Sequence, residues 1–184
     1  TTPIAGAEVS ADLIDGDYGT GARTGSDGSY MVTGLPSGNY RVSVRADGYI
    51  REYYDGTYDY SEATLVSVAA PGETSNIDFT LDVGGTISGH VYEADGTTPI
   101  AGAMVFCELI GEASSPVPKP VARLETAADG SYVIKGLMTG SYRVQAYAEG
   151  YIREYYNNVS SYSAATPVSV TAPNDTPNID FTLD

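Results

Sequence analysis

The stretch Asp129-Gly-Ser-Tyr-Val-Ile-Lys-Gly-Leu-Met-Thr-Gly-Ser-Tyr-Arg-Val144 decides the fold. Apolar and polar residues alternate on both sides of its turns, the period of a half-buried strand. Asp129-Gly130 is a strong hairpin signal, because glycine tolerates the positive φ that a two-residue turn demands. A second tight connection opens at Gly136-Leu137 and closes at Gly140, just before Tyr-Arg-Val. The same sentence is written earlier in the chain, from Asp27 to Val42, with Gly34-Leu35 and Gly38 in the matching places.

Further segments on either side of this stretch also occur twice. Gly48-Tyr-Ile-Arg-Glu-Tyr-Tyr54 recurs unchanged at 150–156, and Asn76-Ile-Asp-Phe-Thr-Leu-Asp82 recurs at 178–184. All these matches share an offset of 102, and 35 of the 56 aligned positions from Asp27 to Asp82 are identical. Upstream, Thr2-Pro-Ile-Ala-Gly-Ala7 matches 98–103 at an offset of 96, so the second copy carries six extra residues. A fixed period of this kind marks a tandem array of two domains, 1–82 and 83–184. The segment 83–96 has no counterpart ahead of Thr1. The first copy is therefore expected to lack its opening strand.

The composition is that of an all-β, extracellular chain. Of 184 residues, 21 are glycine, 10 proline and 16 tyrosine, with no tryptophan, a vocabulary of turns and strands. The net charge of −15 opposes binding to nucleic acid or to an anionic membrane surface and suits a solvated acidic exterior. No apolar run approaches the roughly 20 residues of a membrane span. A chain opening on Thr1 is expected to be a processed or excised product. One cysteine rules out an intrachain disulfide. Val105, Cys107 and Leu109 alternate with Met104, Phe106 and Glu108, so Cys107 takes the core-facing place that Ala11 holds in the first copy. It reads as a small buried hydrophobe rather than a nucleophile.

Strands are expected at 86–92, 103–109, 122–126, 131–135, 140–146, 151–155, 166–171 and 178–183, with the first copy repeating the pattern from Ala7 onward. Seven or so short antiparallel strands per copy make a β-sandwich. The succession Gly-Thr-Ile-Ser-Gly-His-Val (85–91), Thr-Pro-Ile-Ala-Gly-Ala (98–103), Asp-Gly-Ser-Tyr (129–132), Gly-Leu-x-x-Gly-x-Tyr-Arg-Val (136–144) and Ala-Glu-Gly-Tyr (148–151) resembles the carboxypeptidase regulatory-like domain. That resemblance implies two tandem antiparallel β-sandwich domains of transthyretin-like, immunoglobulin type. Such modules serve as stalks, spacers and accessory domains. The collagen-adhesin B-type domains are similar and often carry a Lys–Asn crosslink whose lysine lies on the opening strand. Here that strand has no lysine, and the first copy has none at all.

No catalytic constellation, metal-spaced set of ligands or cofactor motif is present. His90 is expected at the surface, facing away from Ile87, Gly89 and Val91. Asp27 and Asp129 have the chemistry of calcium ligands, but a hairpin Asp-Gly requires no metal. In Gly-Tyr-Ile-Arg-Glu-Tyr-Tyr, an extended backbone puts Tyr49, Arg51 and Tyr53 on one face and Ile50, Glu52 and Tyr54 on the other. The second copy repeats this with Tyr151, Arg153 and Tyr155. One reading is a packed face with Arg51 and Glu52 paired across strands. A second is a ladder presented to a partner, and a third a platform for sugar stacking. Asn158-Val-Ser160 and Asn174-Asp-Thr176 are candidate N-glycosylation acceptors. The insertion around Ser114–Pro120 reads as an extended surface loop, with an inter-subunit contact as the alternative.

The missing strand directs the functional reading. A sandwich without it exposes unpaired backbone groups and a slot for an Ile-x-Gly-x-Val face, with Val9, Ala11 and Leu13 as its groove residues. The chain holds one opening strand, with Ile87, Gly89 and Val91 facing inward, for two sandwiches. Either the sequence is a fragment of a longer tandem protein, or the groove accepts an extended segment from a neighbouring copy. The expectation is a non-enzymatic repeat unit of an extracellular filament or cell-surface stalk, joined head to tail with itself. The alternative is a carbohydrate-binding or accessory module of a secreted enzyme. A transthyretin-like hydrolase lacks the histidines for its chemistry.

Overall fold

The computed structural model describes residues 2–111 and 122–184, so the reading of Ser114–Pro120 lies outside the described residues. The chain divides into two compact units, Thr1–Val83 and Gly84–Asp184. All regular structure among the described residues is β, apart from one short 3₁₀ turn at Tyr162–Ala164.

Unit 1 contains β1 (Glu8–Leu13), β2 (Gly19–Arg23), β3 (Gly38–Arg45), β4 (Glu52–Tyr53) and β5 (Leu65–Val68). They form one antiparallel sheet in the order β2-β1-β3-β4, with β5 also against β3. Val9 faces Val44 and Ala11 faces Val42 across β1 and β3. Alternation buries Tyr40, Val42 and Val44 beside Ala7, Val9, Ala11 and Val66. Bridging charges sit on the opposite face of the same strands, where Glu8 pairs with both Arg23 and Arg45.

Unit 2 contains β6 (Gly85–Glu93), β7 (Met104–Leu109), β8 (Ala122–Glu125), β9 (Ser131–Leu137), β10 (Gly140–Tyr147), β11 (Glu154–Tyr155), β12 (Val168–Val170), β13 (Asp175–Thr176) and β14 (Phe181–Leu183). One sheet, β11-β10-β7-β8 with β12 against β10, is the counterpart of the unit 1 sheet. A second sheet is assembled entirely around β6, with β9 on one edge and β13 and β14 on the other. Pairing is antiparallel except at β13 and β14, which run parallel to β6. The two sheets enclose a core in which Ile87, Val91, Val105, Cys107, Tyr142, Phe181 and Leu183 are fully buried.

Unit 1 therefore departs from a simple copy of unit 2. Its residues 24–37 and 69–82 form no ladder strand, although Ser29–Thr33 and Asn76–Leu81 match β9 and the 178–183 segment in sequence. The reason is the partner. In unit 2 both of these segments pair with β6, and a strand is defined by the neighbour that satisfies its N–H and C=O groups. Other expected strands are shorter than their apolar patterns suggest. Asn76 and Asn178 are left-handed, at φ 62° and 63°, so the last strand of unit 2 begins at Phe181 rather than Asn178. The 151–155 segment is a strand only at Glu154–Tyr155.

Candidate functional site

An open cavity of about 1020 Å³ occupies unit 1 where β6 lies in unit 2. Val9 and Ala11 of β1 and Tyr40, Val42 and Val44 of β3 line it from the sheet side. Tyr30, Val32 and Leu35 line one flank, and Ile77, Phe79 and Leu81 the other. Leu13 packs on the same core but lies over Gly16 and Gly38, outside the cavity lining.

Both flanks are half-buried in unit 1, whereas their equivalents in unit 2 are closed over. Tyr132, Ile134 and Leu137 expose 3%, 1% and 2% of their surface, and Ile179, Phe181 and Leu183 expose 5%, 0% and 0%. Ile87 and Val91, both 0% exposed, are the residues that make this difference. Filling the cavity with a comparable pair would contribute about 1.5–3 kcal/mol per aliphatic side chain.

The two flanks of the cavity are tied to one another. The Tyr30 hydroxyl donates to the Ile77 carbonyl across the gap, as the Tyr132 hydroxyl donates to that of Ile179. Burial pushes the Tyr30 phenol up to about 12 and raises that of Tyr132 as well, because the ionised form would lose its solvation. Tyr40 donates to the Pro36 carbonyl at 2.8 Å, and Tyr142 to that of Met138 at 2.8 Å, fastening the β3 and β10 ends alike.

The tyrosine and arginine segment is not a uniform ladder. In unit 1 Ile50 and Glu52 are buried, Arg51 is exposed, and Tyr49 and Tyr53 are half-buried. Arg51 donates to Ser43 Oγ at 2.9 Å and sits over the Tyr53 ring. The expected Arg51–Glu52 pairing gives way to this contact, because Glu52 turns inward and accepts from the backbone of Thr80. In unit 2 the same seven residues settle differently. Tyr155 is 9% exposed and Ile152 64%, while Arg153 is exposed and Tyr151 donates to Glu93. A feature repeated in both units escaped sequence reading. Arg41 stacks on Tyr60 and Arg143 on Tyr162, each 3.7 Å from the ring centroid, and those rings meet Tyr53 and Tyr155 edge-on. Their matched positions at an offset of 102 were the available signal.

The remaining residues fall as follows. Cys107 is buried, and burial pushes its thiol up to about 12. His90 is partly exposed, stacks on Tyr92 and lies 3.7 Å from Asp180. Asp27 accepts from the backbone and hydroxyl of Ser29, and Asp129 accepts from the backbone of Ser131. No group of three or more metal-ligating side chains converges among the described residues. Asn158 and Asn174 are both exposed. No helix of the described residues is long and apolar enough to cross a membrane.

Comparison with known proteins gives a consistent family. The carboxypeptidase regulatory-like domain model matches residues 1–82 and, again, residues 86–184. No curated protein matches the chain. Among solved structures, the Bacillus anthracis TIE protein is 18% identical over 96% of this chain and 30% of its own length, with a TM-score of 0.38. The minor pilin of the Gram-positive pathogen Streptococcus agalactiae is 18% identical over 99% of this chain and 84% of its own, at 0.36. A streptococcal ancillary pilin is 20% identical over 95% of this chain and 58% of its own, at 0.32.

Proposed function

The chain belongs to the carboxypeptidase regulatory-like domain family in both of its halves, and from that premise we propose that it is a non-enzymatic structural unit of an extracellular filament or cell-surface stalk. An extended segment from a neighbouring copy completes unit 1, so that copies join head to tail. The observation that carries this reading is the 1020 Å³ groove, held open by the Tyr30–Ile77 hydrogen bond in the place that β6 fills in unit 2. Only Val83 and Gly84 separate Asp82 from β6, and β6 is built into unit 2, so the segment that completes unit 1 is not the chain's own β6. A contact of this kind is heterologous and does not close, so it propagates. The acidic charge keeps the sides of such a fibre apart.

Electron microscopy of the secreted material, beside a version with residues 83–96 fused ahead of Thr1, tests the proposal. Filaments from the first and dispersed particles from the second are expected. Filaments from both, or unchanged thermal stability of unit 1 in the fused chain, would overturn it.

One observation favours a second reading, the carbohydrate-binding or accessory module. Tyr60 and Tyr162 present exposed rings backed by arginine, at 59% and 44% exposure. Retention on a polysaccharide column that is lost on Tyr60→Ala and Tyr162→Ala is its expected signature. Tyr155, buried in unit 2, is a poor platform for it.

A further inference from the structure

A second site lies on the face of the unit 1 sheet opposite the cavity, so it does not depend on what fills that cavity. Strand alternation turns Val9 and Ala11 of β1 and Tyr40, Val42 and Val44 of β3 toward the core. That leaves Ser10, Asp12, Arg41 and Ser43 on the outward face. Four side chains form a row there. Arg41 lies 3.7 Å from the centroid of the Tyr60 ring, and Tyr60 meets Tyr53 edge-on at 5.8 Å. Arg51 stands 4.9 Å from the Tyr53 centroid while donating to Ser43 Oγ at 2.9 Å. Tyr60 keeps 59% of its surface exposed. The row is thus two aromatic rings between two guanidiniums, with apolar surface in the middle and positive charge at each end.

In unit 2 the matching row is already occupied. Arg143 and Tyr162 repeat the 3.7 Å stack, and Tyr162 meets Tyr155 edge-on at 6.0 Å. Glu108, the cross-strand neighbour of Arg143, makes an ion pair with that guanidinium and is a hydrogen-bond partner of the Tyr162 hydroxyl. Arg153 lies over Tyr147, 5.9 Å from its centroid. In unit 1 the cross-strand neighbour of Arg41 is Asp12, one methylene shorter than glutamate. Its carboxylate leans the other way, over β2, where a Cβ added at Gly19 would stand 2.6 Å from Asp12 Oδ1. No ion pair reaches Arg41 among the described residues. Its buried Nε has no hydrogen-bond partner, an orphan atom that Arg143 shares.

We propose that the outward face of unit 1 binds a saccharide that carries a carboxylate, with the sugar ring on Tyr60 and the carboxylate on Arg41, in the place that Glu108 fills in unit 2. The inference rests on the carbohydrate-binding reading given above and names its ligand class. A guanidinium presents a planar fork of donors that matches a carboxylate, and such charge-assisted bonds are stronger than those between neutral groups. The exposed ring of Tyr60 supplies apolar area for the C–H face of a pyranose. Arg51 adds a second cation at the far end of the row. The net charge of −15 repels a continuous polyanion. Screening beyond about 8 Å at physiological ionic strength leaves the two guanidiniums as the field that a single carboxylate meets at close range. The ligand is therefore an acidic sugar set among neutral ones. Glu108 already satisfies the row in unit 2, so the external ligand goes to unit 1.

The experiment is an NMR titration of the isotope-labelled full chain with sialyllactose, a hyaluronan tetrasaccharide and trigalacturonate, each beside its carboxyl-reduced counterpart. An acidic saccharide is expected to bind about tenfold more tightly than its reduced form, the weight of one charge-assisted contact. The shifts should centre on Arg41, Tyr53 and Tyr60, and shifts centred on Tyr162 instead would overturn the assignment to unit 1. Arg41→Gln should abolish the preference and Tyr60→Ala the binding, in chains whose unit 1 still melts as in the parent. Asp12→Glu is the sharper variant, because its added methylene copies Glu108 and should weaken the ligand by about tenfold. Asp12→Ala should leave binding in place. Undiminished binding in Asp12→Glu, or its loss in a folded Asp12→Ala chain, would overturn the proposal. Equal binding of acidic and reduced saccharides through Tyr60 would overturn the carboxylate specificity and leave the carbohydrate reading standing. Binding by none of them would remove both.

Discussion

Phe79 and Phe181 stand in the same sentence of sequence, Asn-Ile-Asp-Phe-Thr-Leu-Asp, in two units of one chain. Phe181 is fully buried and Phe79 is half-exposed. Each touches a matching pair of tyrosines, Tyr30 and Tyr54 in unit 1, Tyr132 and Tyr156 in unit 2. Local sequence and local ring geometry are thus preserved while burial is not. What differs is one strand from outside the repeated segment, and through it the state of every residue it would cover. A residue's contribution to stability belongs to its neighbours as much as to itself.

Substitutions at matched positions separate the two units. Phe181→Ala should cost unit 2 about 3–5 kcal/mol, with Phe79→Ala costing unit 1 roughly half of that, because the lost transfer and cavity terms scale with burial. Two-transition denaturant unfolding reads both, and equal losses would mean that the groove is already occupied in solution. Ile87→Ala should cost unit 2 about 3 kcal/mol and turn its core toward the open state of unit 1, leaving the unit 1 transition in place.

A smaller effect is expected at the turn that delivers β6 to its neighbours. Asp95 accepts from Thr97 N, Thr98 N and Thr98 Oγ1 at 2.8, 2.7 and 2.6 Å. The Thr98 bonds lead in holding its carboxyl at about 2, below the ordinary 3.8. The stabilisation is present above pH 3.8 and disappears as pH falls through about 2. Asp95→Ala should lower the melting temperature of unit 2 by a few degrees at pH 7, leave unit 1 unchanged, and make no difference near pH 2.

The smallest effect should be the same in both units. Burial raises the carboxyl of Glu52, and likewise that of Glu154, above the ordinary 4.5. Folding then favours the protonated form, so stability falls as pH rises from 4.5 through the raised folded value. Glu52→Gln and Glu154→Gln should each raise the melting temperature slightly at pH 7, with the gain vanishing below pH 4.5. Unequal gains would show that the open groove reaches this end of the sandwich.

Much of this was legible in the residues. Alternation located β1, β3, β7, β9 and β10 closely, because half-buried strands advertise their inward face. Cys107 was placed in the core by register alone. The open groove was legible too, as an absence against a repeat. Periodicity, however, does not reveal whether a strand has a partner, so Ser29–Thr33 and Asn76–Leu81 read as strands and are not. Nor does it distinguish parallel from antiparallel neighbours, and β13 and β14 took the parallel option. The stacks of Arg41 on Tyr60 and Arg143 on Tyr162 join residues distant in sequence, across loops whose course no alternation fixes.

The lone cysteine gives these two units different chemical visibility. Cys107 lies on β7 with no exposed surface, and Ala11 holds its place in unit 1. A thiol reagent reaches that sulfur only while unit 2 is open, and unit 1 has nothing for it to label. With labelling fast relative to closing, the rate of modification counts openings of unit 2; with labelling slow, it weighs the open population. The chain therefore carries an intrinsic clock on unit 2 and none on unit 1, so any lag between labelling and the melting of unit 1 times the two events separately.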